Sequence, residues 1–244
     1  MQVDALALAL RPRSMMEASD LGVRLVQSRA GSVWRSFLPL YLVVVAVSLA
    51  TVEIAGWLPP VIIFWLKPWL DRSLLFVHSR AVFGEDTRFA DLWRWRHLVW
   101  WRQLLLTLTL RRLSPWRSFT QPAYQLEGQN GAALRKRRSQ LLRGKRGVAG
   151  AVHLAFAHVE MIFILALFAL AVWFDPDGKG ASVFQLLRGE EGVLPSLLYA
   201  IAYAAVVAVV EPFYVAAGFA MYLNRRVELE AWDIEQEFRR AFAP

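Results

Sequence analysis

The chain has 244 residues, of which 57% are hydrophobic and 11 are tryptophan, with a formal net charge of +8 and a mean hydropathy of +0.35. Soluble domains are about 45–50% apolar, so this composition predicts a membrane protein rather than a large soluble core. There is no cysteine, which excludes disulfides, thiolate nucleophiles and cysteine-ligated zinc or iron–sulfur sites.

Four segments are apolar and long enough to cross a bilayer, which takes about 20 residues. In chain order they are Phe37–Leu58, Pro60–Ser79, Val148–Phe174 and Leu194–Leu223. Pro59 and Pro60 predict a tight hairpin between the first two, because proline ends one helix and is accepted in the first turn of the next. The predicted fold class is all-α, a polytopic integral membrane protein with four transmembrane helices.

The distribution of charge predicts the topology. Residues 78–146 contain 15 Lys and Arg against four acids, a net of +11, whereas residues 175–193 have a net charge of −2. Lys and Arg collect on the cytoplasmic side of a membrane, so both termini and residues 78–146 are expected in the cytoplasm. The predicted organisation is a single membrane domain, 1–244: a cytoplasmic segment 1–36, a hairpin 37–79, a basic segment 80–147, a second pair of spans 148–223 and a cytoplasmic amphipathic helix 224–244.

The basic segment alternates Arg and Trp over Arg88–Leu110, which predicts an interfacial helix, with a re-entrant half-helix as the alternative. Arg111–Pro122 is predicted to be irregular because of its prolines, and a basic run follows at Arg135–Gly147. Side chains expected at the lipid interface are Arg94, Arg96, Trp100, Trp101, Arg102, Arg135, Lys136, Arg137 and Arg138. The C-terminal helix is predicted from apolar residues at three- and four-residue spacing: Val227, Ala231, Ile234, Phe238 and Phe242.

Charged residues inside the predicted spans are costly unless they are paired or hydrated, and five of them form a candidate cluster. They are Lys67, Asp71, Arg72, Glu160 and Glu211. At 1.5 Å per residue, Glu160 and Glu211 lie about 18 Å from the cytoplasmic ends of their spans and Lys67 about 16 Å, so all three are predicted at one depth. Asp71 is expected to neutralise Lys67 one turn away, and Arg72 to reach another acid or a lipid headgroup.

Prolines accompany these charges. Pro68 frees the carbonyl of Phe64, and Pro212, directly after Glu211, frees that of Ala208. Broken helices beside buried charges occur in transporters and ion paths. The favoured interpretation is a salt-bridge cluster that fixes helix register, and the alternative is a translocation or binding role.

Enzyme signatures are missing from the sequence. It contains no GxSxG elbow, no Walker loop and no GxGxxG, and the spacing of His153, His158 and Glu160 is poor for a metal on one helix. We therefore expect no enzymatic activity, no metal and no cofactor. The basic segment is better explained by anionic lipid headgroups than by nucleic acid, since juxtamembrane Lys and Arg gain about 1 kcal/mol each near anionic leaflets.

Several motifs together resemble the membrane-embedded N-terminal half of a family of uncharacterised bacterial inner-membrane proteins. These motifs are Leu10–Gly22, Phe64–Arg72, Val77–Gly84, Arg111–Gly128 and Glu211–Arg240. Longer members of that family add an extracytoplasmic domain of unknown function, and their genes lie near those of MoxR-type ATPases. The last motif also resembles Yip-like and glycerophosphodiesterase-type membrane domains, although Ala231 stands where their signature has glycine.

The resemblance implies a bacterial inner-membrane location and envelope-protein partners, including a MoxR-type ATPase system. With no catalytic motif, the leading expectation is a non-enzymatic scaffold or assembly factor that presents amphipathic helices and a basic cytoplasmic surface to protein partners and anionic lipid. The alternative is a small transporter or lipid-handling protein that uses the intramembrane charges.

Overall fold

The computed structural model describes residues 13–174 and 192–230, and every regular element within those ranges is helical, which confirms the all-α class there. In chain order the elements are α1 (Met15–Ser28), α2 (Ala30–Leu49), α3 (Leu58–Ala81), α4 (Phe89–Arg94), a π-helical turn (His97–Trp101), α5 (Leu104–Leu108), α6 (Arg117–Gln125), α7 (Gly131–Leu142), α8 (Arg146–Trp173) and α9 (Val193–Glu230).

Three of the described helices are long and apolar enough to cross a membrane: Ala30–Leu49, Arg146–Leu170 and Val193–Glu230. α3 has 24 residues but is not among them, since three charges interrupt its apolar sequence. The predicted bounds of the first span are wrong, because α2 already ends at Leu49 and residues 50–57 form the connection. Pro59 and Pro60 lie inside the first turn of α3, where their missing N–H groups cost nothing.

α9 is the central helix and packs on α1, α2, α3, α6 and α8. Its 38 residues extend about 57 Å, roughly twice the thickness of a hydrocarbon core. Residues 224–230 of the predicted C-terminal helix therefore belong to α9, and Val227 is buried. The rest of that prediction, residues 231–244, lies outside the described part of the chain.

α1 occupies most of the described part of the segment that precedes the first predicted span. A capping box starts it, with Ser14 Oγ accepting from the Glu17 amide at 3.2 Å and Glu17 Oε2 accepting from the Ser14 amide at 2.9 Å. α1 packs along α9 so closely that a Cβ on Gly22 would lie 2.3 Å from the carbonyl oxygen of Ala216. Only glycine allows this approach of the two backbones.

The prediction of one helix over Arg88–Leu110 is wrong, because α4, the π-helical turn and α5 are separate pieces. Gln103 separates the last two with a left-handed backbone, φ 58°. The carbonyl oxygens of Leu98 and Val99 accept hydrogen bonds from the Arg72 guanidinium rather than supporting a continuous helix.

The prediction of irregular structure over Arg111–Pro122 is also wrong in its second half. α6 begins at Arg117 and contains Pro122. Every residue from Arg117 to Tyr124 is buried, so tertiary packing outweighs the poor helix propensity of proline at this position. This helix brings a cation into the centre of the molecule.

Candidate functional site

Lys67 of α3 lies between two acids from two other helices. Its Nζ is 2.5 Å from Glu160 Oε2 on α8 and 2.7 Å from Glu211 Oε2 on α9. The structure thus brings together the three residues that counting along helices placed at one depth. Exposed fractions of their side chains differ: 10% for Lys67, 15% for Glu160 and 2% for Glu211.

Asp71 has a different partner from the predicted one. Its Oδ2 is 2.8 Å from Arg117 Nε, and Arg117 Nη2 is 3.1 Å from Glu211 Oε1. The prediction that Asp71 neutralises Lys67 is wrong, because each finds its ion pair on another helix. The contacts form one chain, which we call the ion-pair network: Glu160, Lys67, Glu211, Arg117 and Asp71.

Arg117 was missed by the sequence prediction because it lies in a stretch expected to be irregular and outside the spans. One signal could have revealed it: the predicted intramembrane set contained three acids and only two bases, which leaves an acid without a partner. A further cation, Arg112, is also buried beside the network, with its guanidinium 3.8 Å from the ring centroid of Phe64. With Arg112, three cations face three carboxylates.

The prediction that Arg72 reaches another acid or a lipid headgroup is wrong. The side chain is buried and donates to the carbonyls of Leu98, at 2.9 Å, and Val99, and to the Thr107 hydroxyl at 3.2 Å. Five N–H donors in a fixed fork allow one guanidinium to satisfy several backbone carbonyls. Arg72 therefore ties the broken segment after α4 to α3.

Two backbone carbonyls near Pro212 are hydrogen-bonded to side chains that are distant in sequence. The carbonyl of Ala208, freed by Pro212, accepts from Trp34 Nε1 at 3.2 Å, and the carbonyl of Pro212 lies 3.1 Å from His78 Nε2. Pro68 is buried within α3. The proline after Glu211 thus supplies two contacts that bind α9 to α2 and α3.

Two cavities meet the ion-pair network. The smaller, about 160 Å³, contains the cationic side: Lys67, Arg112 and Arg117 line it together with Glu211. The larger, about 1320 Å³, lies between the 50–57 connection, the start of α3 and the first turns of α9. We call the larger one the cleft. Glu160 and Phe64 line both cavities, so the two cavities adjoin at these residues.

The predicted interface residues divide into exposed and buried ones. Arg94, Trp101, Arg102, Arg135 and Lys136 are exposed, and their position at a lipid interface stays a prediction. Trp100 is 4% exposed and donates to Ser73 Oγ at 2.8 Å, so its place is in the core.

The remaining predicted interface residues are half-buried: Arg96, Arg137 and Arg138. Arg137 is an internal tie between α7 and α9, 2.7 Å from Glu127 Oε1 and 2.5 Å from Glu230 Oε1. Hydrogen bonds to Glu127 raise the pKa of Arg137 above its usual value, so this guanidinium is charged at every physiological pH.

The histidines near the network have ordinary partners. His153 Nδ1 is 2.9 Å from the Tyr214 hydroxyl, and His158 Nδ1 is 2.7 Å from the Leu154 carbonyl. Across residues 13–174 and 192–230, no group of three or more His, Asp or Glu could hold a metal ion.

Comparison of the chain with protein-family models, with curated proteins and with solved structures yields no match.

Proposed function

We propose that this chain is a multi-pass membrane protein that binds a small amphiphilic molecule in the cleft, as a small transporter or lipid-handling protein does. One observation carries the proposal: Glu160 belongs both to the ion-pair network and to the wall of the cleft. Packing of helices alone requires no large cavity that ends on a buried acid. Ligand pockets measure about 300–1,000 Å³, so the volume of the cleft is sufficient.

The proposal takes α3 as a fourth membrane crossing. A lone central charge costs about 2.5–3.5 kcal/mol on insertion scales, but Lys67, Asp71 and Arg72 each have partners from other segments. Both termini and the basic segment are placed in the cytoplasm, and the 50–57 connection on the opposite face. The bacterial inner membrane is proposed on the motif resemblance, with no enzymatic activity.

The absence of cysteine permits a direct test of whether water reaches the network. Val61→Cys in the cleft and Leu165→Cys on the outer face of α8 each create a unique thiol. A small water-soluble methanethiosulfonate should modify the thiol at 61 at least about tenfold faster, because the reactive thiolate forms only where water is present. Labelling is measured by mass spectrometry on protein in nanodiscs.

Equal rates at the two positions would contradict the proposal, since the cleft would then hold no more water than the lipid-facing surface. Glu160→Gln provides the functional half of the test. The variant should remain folded, and it should lose whatever uptake or extraction activity the parent protein shows in proteoliposomes.

The scaffold is the second candidate, and the exposed surface of α8 supports it. In the most apolar stretch of α8, only 11% is buried within the molecule, against 39% in that of α2 and 33% in that of α9. Exposed apolar side chains run along it, among them Leu154, Ile162, Leu165 and Leu170. Lipid covers such a face in a monomer, whereas in a scaffold other envelope proteins cover it, with a MoxR-type ATPase system as the partner that the resemblance implies.

Crosslinking mass spectrometry in mild detergent distinguishes these two. A photoreactive residue at Leu165 should crosslink reproducibly to one protein if α8 is a docking helix, and a second photoreactive residue at Val61 should not. A monodisperse chain with no crosslinked partner at either position would contradict the scaffold.

A further inference from the structure

The charges of the cleft have one sign. Among the described residues that line it, the charged side chains are Glu53 and Glu160, and no Lys, Arg or His is present. The remaining lining is apolar or aromatic, including Trp57, Phe64, Tyr199 and Tyr203. From this lining we infer that the cleft binds a cation with an apolar body, such as a lipophilic amine or quaternary ammonium. The inference rests on the proposed function and names its substrate class.

Glu160 is the acid that can accept such a cation. It is the end member of the ion-pair network and has one ionic partner among the described residues, Lys67, on its Oε2 atom. Its side chain is 15% exposed, whereas those of Glu211 and Asp71 are 2% and 0% exposed. A carboxylate has about four lone-pair sites, so a second cation binds from the cleft side while Lys67 stays on the other side.

The aromatic lining favours the same charge. Cations are attracted to the faces of Trp and Tyr rings by about 0.5–2 kcal/mol, increasing as water is removed. Tyr203 lines the cleft together with Glu160, so an aromatic side chain shares the cavity wall with the acid. An apolar body contacts Trp57 and Phe64 while its charged group is held at Glu160.

Amphiphilic anions are disfavoured because the cations line the smaller cavity and not the cleft. The cations Lys67, Arg112 and Arg117 lie in the smaller cavity, beyond Glu160 and Phe64. Its volume is about 160 Å³, against about 1320 Å³ for the cleft. The cleft is the cavity large enough for an amphiphilic body, and the charged side chains among its described lining residues, Glu53 and Glu160, repel an anion.

Two probe ions of the same shape and opposite charge test the inference: tetraphenylphosphonium and tetraphenylborate. Binding to the full chain in nanodiscs is measured by equilibrium dialysis, with the lipid partition measured in protein-free nanodiscs subtracted. The cation should bind saturably, and the anion should not exceed the lipid background. Glu160→Gln and Glu53→Gln should each raise the Kd for the cation about tenfold.

Glu85→Gln is the matched control. Glu85 follows the C-terminal end of α3, pairs with Arg80 and is not among the residues that line the cleft, so this variant should leave the Kd unchanged. Glu53 lies on the exposed 50–57 connection outside the ion-pair network, so its variant keeps the test valid if Glu160→Gln does not fold. Equal or tighter binding of the borate, or a Kd for the phosphonium that neither Glu variant changes, overturns the inference.

If neither ion exceeds the background while the thiol at position 61 is labelled, the inference is overturned and the proposed function stands. If that thiol is no more reactive than the one at 165, the proposed function itself is wrong. The two failures are therefore distinguishable.

Discussion

At the scale of single residues, the two glutamates of the ion-pair network hold unequal positions. Glu211 contacts both Lys67 and Arg117 and is 2% exposed, whereas Glu160 contacts Lys67 alone among the ion pairs and is 15% exposed. Removing one partner from a buried pair leaves an uncompensated charge, which costs more than the pair contributes. The central acid should therefore matter more for stability, and the peripheral one for binding.

Glu211→Gln should lower the free energy of unfolding by about 3 kcal/mol or more, because two buried cations lose a shared counter-charge. Glu160→Gln should lower it by about 1 kcal/mol, since water in the cleft solvates part of the change. Thermal unfolding of both variants in the same detergent measures the difference. A larger loss of unfolding free energy for Glu160→Gln than for Glu211→Gln would show that Glu211 is not the central acid of the network.

At the scale of elements, the contact of α1 with α9 depends on one glycine. A Cβ on Gly22 would meet backbone atoms of Ala216 and Ala217 at 2.3–2.7 Å, and backbone cannot move aside as a flexible side chain does. Gly147, in the first turn of α8, has nothing within 4 Å of the corresponding position. These two helical glycines therefore form a matched pair.

Gly22→Ala should destabilise the protein by about 1–3 kcal/mol through overpacking, with α1 displaced from α9. Gly147→Ala should be neutral or stabilising by up to about 1 kcal/mol, because alanine has the better helix propensity. Unfolding midpoints and the protease sensitivity of residues 15–28 measure both effects. Equal behaviour of the two variants would mean that α1 does not pack on α9 in the membrane.

At the scale of the whole molecule, the proposed topology requires that α2 and α3 both cross the bilayer. Two exposed positions test this topology: Glu53 in the 50–57 connection, before α3 in the sequence, and Ser139 on α7, after it. Because the chain has no cysteine, a cysteine introduced at either position is the only thiol of that variant.

We expect a membrane-impermeant maleimide to label Glu53→Cys in intact cells and Ser139→Cys only after permeabilisation. Four crossings place the connection outside the cytoplasm and the basic segment inside it. Labelling of both thiols from the same side would contradict a crossing by α3 and would leave the three apolar helices as the spans.

Much of the helical architecture follows from the sequence alone. The apolar runs of α8 and α9 differ from their predicted bounds by only a few residues at most ends, because about 20 apolar residues in lipid leave helix as the structure that satisfies the backbone. The common depth of Lys67, Glu160 and Glu211 also follows from counting, since the rise of a helix is fixed at 1.5 Å per residue, and their contacts agree with that count.

Tertiary structure alone decided which charges pair. Helical periodicity places Lys67 and Asp71 on one face but does not say which neighbour covers that face. The excess of one acid indicated that a cation was missing, but not that Arg117 would pair with Asp71. Likewise, Arg72 donates to backbone carbonyls in residues 88–110, at the place where that segment is not one continuous helix. Neither the break nor the contact is visible in the local sequence. Local sequence determines the elements, whereas partners distant in sequence are selected by packing around α9.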